Sequence, residues 1–453
     1  TVSTAPSVES GARQLVQHCL GLQANQQLVI LLDETTVETG VVIAEAAESL
    51  GVSHISILVP ISLQRQIPQQ RDLSLLAQGV AREARAILTC LNPSPECLPF
   101  RRYILETHWT ARTRIGHMPG ASTEVLKLAN MDVQQLATHC RQLEVALVRG
   151  RTLELVSYAS SGTPHTLSAN IGGWDRLPVA SDGIVRDGAW GNVPSGETYI
   201  APIEGSGTGS IAINGSIPGL VVQPGNDLIL HFDQGRLTHV EPEAGPAARW
   251  LHETQIAGAR AAGDANWSCL AEIGVGLNPA VEHLTGNMLF DEKAAGTAHI
   301  ALGTNTFMGG AISASIHCDM VTRSPTILID GKTVIDRGRL AFKASEWHEN
   351  HTQIILHDSP LRTAQLVARS GVQAGGAADG RLQRVLRPEP GRVSACFVGD
   401  RETSRFAHAL YAFMPDDGDW LQVEDLAAVT ELQSDFVRRL LHVMWRYDLI
   451  RVR

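Results

Sequence analysis

The sequence has no uninterrupted apolar run near the ~20 residues that cross a bilayer, so no membrane-spanning helix is expected. Its N-terminus begins polar, with no basic stretch ahead of an apolar one, so no secretory signal is expected either. Paired cysteine spacing is also missing. Cys19, Cys90, Cys97, Cys140, Cys269, Cys318 and Cys396 are scattered and odd in number, which argues against a disulfide framework or a zinc ribbon. A reducing, cytoplasmic setting fits best, and a thiolate metal site does not. No GxGxxG follows the first strand-like run, which removes the usual mark of dinucleotide binding. Positive charge is in short supply. The 37 Lys and Arg against 47 Asp and Glu leave a net charge of -10, which gives no general attraction to nucleic acid or to an anionic membrane.

What is present is an ordinary globular composition, 44% apolar and 19% charged, in 453 residues, enough for two or three domains. Residues 1–150 read as an α/β domain with a parallel sheet. Ser10 is the expected N-cap of a helix over 11–20. QQLVILLD (26–33) follows as a strand whose continuous apolar run suits a sheet covered by helices on both faces. ETTVETGVVIAEAAESLG predicts a helix ended by Gly51, and HISILVP (54–60) a second strand. AREARAILTCLN, RTRIGHMPGAS and a helical stretch around 131–143 continue the alternation.

From residue 151 to 358 the texture is that of a β-rich α+β domain. RTLELVSYAS, HTLSANIG, SIAINGSI, DLILHFD and GRLTHVEP alternate in the strand manner between Gly-rich turns. A polar helical segment at 247–263 interrupts, before CLAEIGVGLNP, AHIALG, ISASIHCDMV and PTILIDGKTVIDRG resume. Residues 359–392, rich in Gly, Ala, Pro and Arg, read as a linker. Residues 393–453 predict a small helical domain of winged-helix type, with Ser434 as a helix cap and Phe436, Leu440, Leu441 and Trp445 on one face. Its arginines, among them Arg438, Arg439 and Arg446, are nearly cancelled by Glu424, Asp425, Glu431, Asp435 and Asp448. Contact with a peptide or protein is therefore expected rather than with nucleic acid.

The densest chemistry lies in SIHCDMV, where His317 and Asp319 fall on one face of a strand and Cys318 on the other. A carboxylate there needs a hydrogen-bonding or cationic partner. Glu272 in LAEIGVGLNP, His299 in AHIALG and Glu197 in VPSGETYIAP also sit in or beside apolar strand-like runs. Together the five form a nitrogen-and-oxygen ligand set suited to Zn, Co, Mn or Fe. Five is more than one tetrahedral ion requires, which leaves two readings: two adjacent ions, or one ion with outer carboxylates.

These motifs, in this order, resemble the metallo-aminopeptidases of the aminopeptidase T family. The resemblance rests on PSGETYIAP, GTGSIAINGSIPG, AEIGVGLNP, FDEKAAGTAHIALG, SIHCDMV and ILIDGKTVIDRG, and covers most of the second domain. It implies an aminopeptidase T-like fold and metal ligands at Glu197, Glu272, His299, His317 and Asp319. The family's ligating tyrosine has no counterpart, since TNTFMGGAISAS offers only Phe307 as an aromatic. The 2,5-dihydroxypyridine ring-cleaving dioxygenases are similar to these peptidases but hold a single iron with two histidines and one carboxylate. In that branch His317, Asp319 and His299 would be the candidate ligands.

The first expectation is therefore a metal-dependent hydrolase of amide or peptide bonds, a metalloprotease of aminopeptidase type. Its substrate would be a peptide or a natural-product intermediate. Glu272 or Asp319 would bridge two ions, Glu197 would be a terminal ligand, and Glu292 would be a candidate general base. The alternative is a mononuclear non-haem Fe(II) oxygenase acting on an electron-rich aromatic, heteroaromatic or peptide-derived substrate. A third reading is a non-catalytic peptide-binding or scaffold protein that recognises its partner through the C-terminal domain. A homodimer is the default assembly. Asp175, Arg176 and Asp187 read as turn residues, His165, His231 and His239 as ordinary strand residues, and His348 and His351 as outside any HExxH pattern.

Overall fold

The computed structural model of the chain describes residues 7–66, 84–106, 113–172, 178–341, 381–384, 421–422 and 450–452. Two compact units emerge. The first comprises residues 1–137, 181–197 and 278–282, and the second 138–180, 198–277 and 283–453. Among the described residues no helix is long and apolar enough to cross a membrane.

The first unit holds a five-stranded parallel sheet in the order Ser53–Leu58, Gln27–Leu32, Ala86–Cys90, Arg114–His117 and Trp190–Asn192. Leu28 to Leu32 are all buried, as the continuous apolar run requires. The first helix spans Val8–Gln14 and is capped by Ser7. Ser10 lies at the third helical position, and the two serines form a reciprocal capping box. The expected cap at Ser10 is thus displaced by one turn, because a second serine at i+3 completes the box. The helix Val37–Ser49 ends ahead of Gly51, whose φ of 71° only glycine adopts freely. The fifth strand comes from far downstream, and three residues carry too little periodicity to reveal it.

His117 closes one of these strands, with Asn192 as its neighbour across the ladder. The Asn192 Oδ1 accepts from His117 Nδ1 at 3.0 Å, and Trp190 meets the ring edge-on. Burial lowers the imidazole's pKa to about 4, against the opposing pull of the Asn192 hydrogen bond. The folded value lies below the unfolded one, so the unfolded chain binds more protons between about pH 6.5 and pH 4. Stability from the neutral ring is therefore present above that window and lost as pH falls through it, up to about 3 kcal/mol. Urea titrations at pH 7 and pH 4.5 should show a smaller loss in His117→Gln than in the wild type. An equal loss would remove His117 from the account.

The second unit contains two antiparallel-dominated sheets. One has eight strands, in the order Arg236–Glu241, Leu228–Asp233, Thr208–Ile213, Pro164–Asn170, Thr152–Tyr158, Thr326–Ile329, Lys332–Asp336 and Arg339–Leu340. The other has seven, in the order Leu220–Val221, Ser216–Ile217, His317–Arg323, Thr297–Gly303, Leu270–Gly276, Glu197–Ile200 and Val179–Ser181. A single core joins them. Leu153, Leu155, Leu167, Ile211 and Leu230 from the first sheet pack with Ile273, Ile300, Leu302, Cys318 and Met320 from the second. Period-two alternation then assigns the other face of the seven-stranded sheet to Glu272, His299, His317 and Asp319.

The parallel sheet and the β-rich middle region are as expected from the sequence. The linker and winged-helix-like segment lie outside the described residues, except for Arg381–Arg384, Leu421–Gln422 and Ile450–Val452, which form a three-stranded antiparallel sheet. The six described cysteines carry free, buried thiols.

Candidate metal centre

Three adjacent strands build the site. Glu272 lies opposite Ala301, and Ala301 lies opposite Asp319 on the far side. Gly274 faces His299, and Gly303 faces His317. Residues directly across an antiparallel ladder share a face, so the two carboxylates flank the Ala301 methyl group. The missing side chain at Gly274 leaves room for the His299 ring, and the small Ala301 side chain separates the two carboxylates. A register shift between Leu270 and Glu272 marks a bulge there, a common way for a strand to re-aim a functional side chain.

Glu272 and His299 are buried, at 5% and 0% exposure, so neither can rely on water to solvate its polar atoms. His299 Nε2 lies 3.1 Å from Glu272 Oε1. His317 Nε2 lies 3.2 Å from Glu272 Oε2 and 3.4 Å from Asp319 Oδ1. The other ring nitrogen, Nδ1, is 2.8 Å from the Thr304 carbonyl oxygen. A carbonyl only accepts, so Nδ1 carries a proton and Nε2 is the nitrogen turned to the carboxylates. Two anionic oxygens and an imidazole lone pair would repel one another without a cation between them. A proton on the imidazole can play the same part. Burial works against charging His317, but Asp319 and then Glu272 outweigh it and raise its pKa well above the ordinary value. Burial likewise pushes the Glu272 carboxyl up, but hydrogen bonds from His299 and His317 and their charge prevail and hold it at about 2.

Glu272, His317 and Asp319 each bring a ligand atom within 4.8 Å of the others, and among the described residues this is the one such cluster of three or more. Atoms that share an ion at ~2.0–2.2 Å are separated by roughly 3–4.4 Å, and His317 Nε2 meets both carboxylates within that range, a spacing that suits one ion. The donor set, one nitrogen and two carboxylates, fits a divalent cation of the iron, manganese or zinc kind.

His299 touches the cluster through Glu272. Glu197 is buried at the start of its strand and is not one of the three clustered residues. Glu292 accepts a hydrogen bond from the buried Lys293 Nζ. Cys318 packs into the core on the opposite face, as alternation requires. His231 and His239 face each other across a ladder beside Glu241, and His165 bonds Ser210. Asp187 pairs with Arg85 and Arg114. Asp175, Arg176, His348 and His351 lie outside the described residues. Sequence reasoning passed over Thr304, Gly274, Ala301 and Gly303. The available signal was Gly274 two positions from Glu272, and Ala301 two positions from His299, each on the same strand face.

The fold, and the one Glu-His-Asp cluster among the described residues, can be set beside known proteins. The chain belongs to the 2,5-dihydroxypyridine 5,6-dioxygenase family, NicX, whose model matches residues 10–342. Among solved structures, 2,5-dihydroxypyridine dioxygenase from Pseudomonas putida is similar at 21% identity and a TM-score of 0.53, over 73% of this chain and 97% of that one. AmpT from Thermus thermophilus is similar at 18% identity and a TM-score of 0.50, over 74% of this chain and 99% of that one. At such identities the two structures speak for the fold. No curated protein sequence matches the chain.

The family match reverses the expected order of kinship. The dioxygenases are the primary relatives, and aminopeptidase T is a distant structural neighbour. It also overturns the expected hydrolase, metalloprotease and aminopeptidase activity, in favour of metal-dependent chemistry of the oxygenase type. The motifs behind that expectation, such as AEIGVG and IHCD, lie on the strands Leu270–Gly276 and His317–Arg323 that carry the cluster. They position ligands without specifying the reaction.

Proposed function

We propose that the chain is a mononuclear non-haem iron(II) oxygenase acting on a small, electron-rich aromatic or N-heteroaromatic molecule. The observation that carries this reading is the cluster of Glu272, His317 and Asp319, sized for one ion, in a member of a ring-cleaving dioxygenase family. Iron bound there would supply Lewis acidity, one-electron chemistry toward O₂, and open positions for O₂ and substrate. Glu272, His317 and Asp319 are the proposed ligands. Thr304 holds the His317 tautomer through its carbonyl. The two carboxylates balance the charge of a divalent ion, and the burial of Glu272 keeps competing water from its oxygens. A cytoplasmic location suits the six free thiols.

The reading is tested by oxygen dependence. Protein loaded with Fe(II) without air should take up O₂ when given hydroxylated pyridines or comparable hydroxylated rings, and should leave them intact when O₂ is withheld. Undiminished turnover of such a ring without O₂ would contradict it.

A further inference from the structure

His299 touches the cluster from the side. It is fully buried, and it meets Glu272 at Oε1 while His317 meets the same carboxylate at Oε2. Glu272 is thus gripped at each oxygen by a different imidazole. Directly across the ladder from His299 is Gly274. A Cβ on Gly274 would lie 2.2 Å from both Cε1 and Nε2 of His299, so the ring occupies the space where any other side chain would begin. Gly274 is not among the glycines with positive φ. Glycine is required there for room, not for backbone conformation.

We infer that His299 is a positioning residue and not an ion ligand: seated on Gly274, it holds Glu272 Oε1 and so directs Oε2 to the ion beside His317 and Asp319. The inference rests on the single-ion reading above and deepens it. The centre then has one histidine and two carboxylates, and the second imidazole acts one bond further out. Partners of this kind, which orient a ligand without touching the ion, typically govern affinity by roughly 10–100-fold.

The test uses the full chain with one equivalent of Cu(II) as a spin probe, whose echo modulation counts directly bound imidazoles. One imidazole is expected in the wild type and in His299→Gln, and none in His317→Gln. His299→Ala should keep the count of one while raising the dissociation constant for Fe(II) roughly 10–100-fold, and the glutamine, whose amide can still donate to Glu272, should restore it to within about threefold. Gly274→Ala should behave as His299→Ala does, because the added methyl displaces the ring. Two imidazoles in the wild type, falling to one in His299→Gln, would overturn the inference. So would equal Fe(II) affinity in the alanine variants and the wild type. None of these readouts involves O₂, so a failed oxygenase assignment appears separately, as turnover indifferent to O₂.

Discussion

His317→Ala and Asp319→Ala should each lose the ion and, with it, turnover, by roughly a thousandfold or more. Each substitution removes one of only three clustered ligand atoms and leaves the Glu272 carboxylate facing a reduced set. The fold should survive. Neither side chain is fully buried, and the same strand is anchored from its other face by Cys318 and Met320. Metal analysis of the purified variants, alongside far-ultraviolet circular dichroism, separates the two effects. A folded His317→Ala protein that still carries one tightly bound ion would remove the cluster from the mechanism.

Ala301→Leu should be nearly as damaging, although residue 301 brings no ligand. Its methyl lies between Glu272 and Asp319 across both ladders, and the residue is wholly buried. Three added carbon atoms on that face must crowd the carboxylates on either side and force them apart. Overpacking of this kind costs about 1–3 kcal/mol in a well-packed core. Here the accommodating groups are the ligands, so the affinity for Fe(II) should fall roughly 100-fold. Ala301→Gly, which adds nothing, should bind as the wild type does. Isothermal titration of both variants with Fe(II) under nitrogen gives the comparison, and equal affinities for the leucine and glycine proteins would refute the packing argument.

Much of this centre could be read from periodicity alone. His317 and Asp319 are two residues apart in an apolar strand, so a shared face follows from the pleat. Glu272 and His299 stand out for the same reason, as polar residues in runs that are otherwise buried. Their partnership could not be read. It depends on which residue faces which across two ladders, and a bulge beside Glu272 sets that alignment. A single chain read along its length carries no such register. The Trp190–Asn192 strand was hidden for a related reason, since its place beside Arg114–His117 is a long-range pairing of three residues. The choice between hydrolysis and oxygenation was least legible of all. A dioxygenase and AmpT both resemble this fold, and the chemistry follows from the metal and its open positions rather than from the scaffold.

The most direct measurement follows the oxygen atoms. Full-length protein reconstituted with one equivalent of Fe(II) is given a hydroxylated pyridine or a comparable hydroxylated ring under ¹⁸O₂, and the product is weighed by mass spectrometry. Label from O₂ in the ring-opened product, with one iron per chain, is the predicted result. Product whose added oxygen comes only from water, formed equally well without O₂, would contradict the assignment.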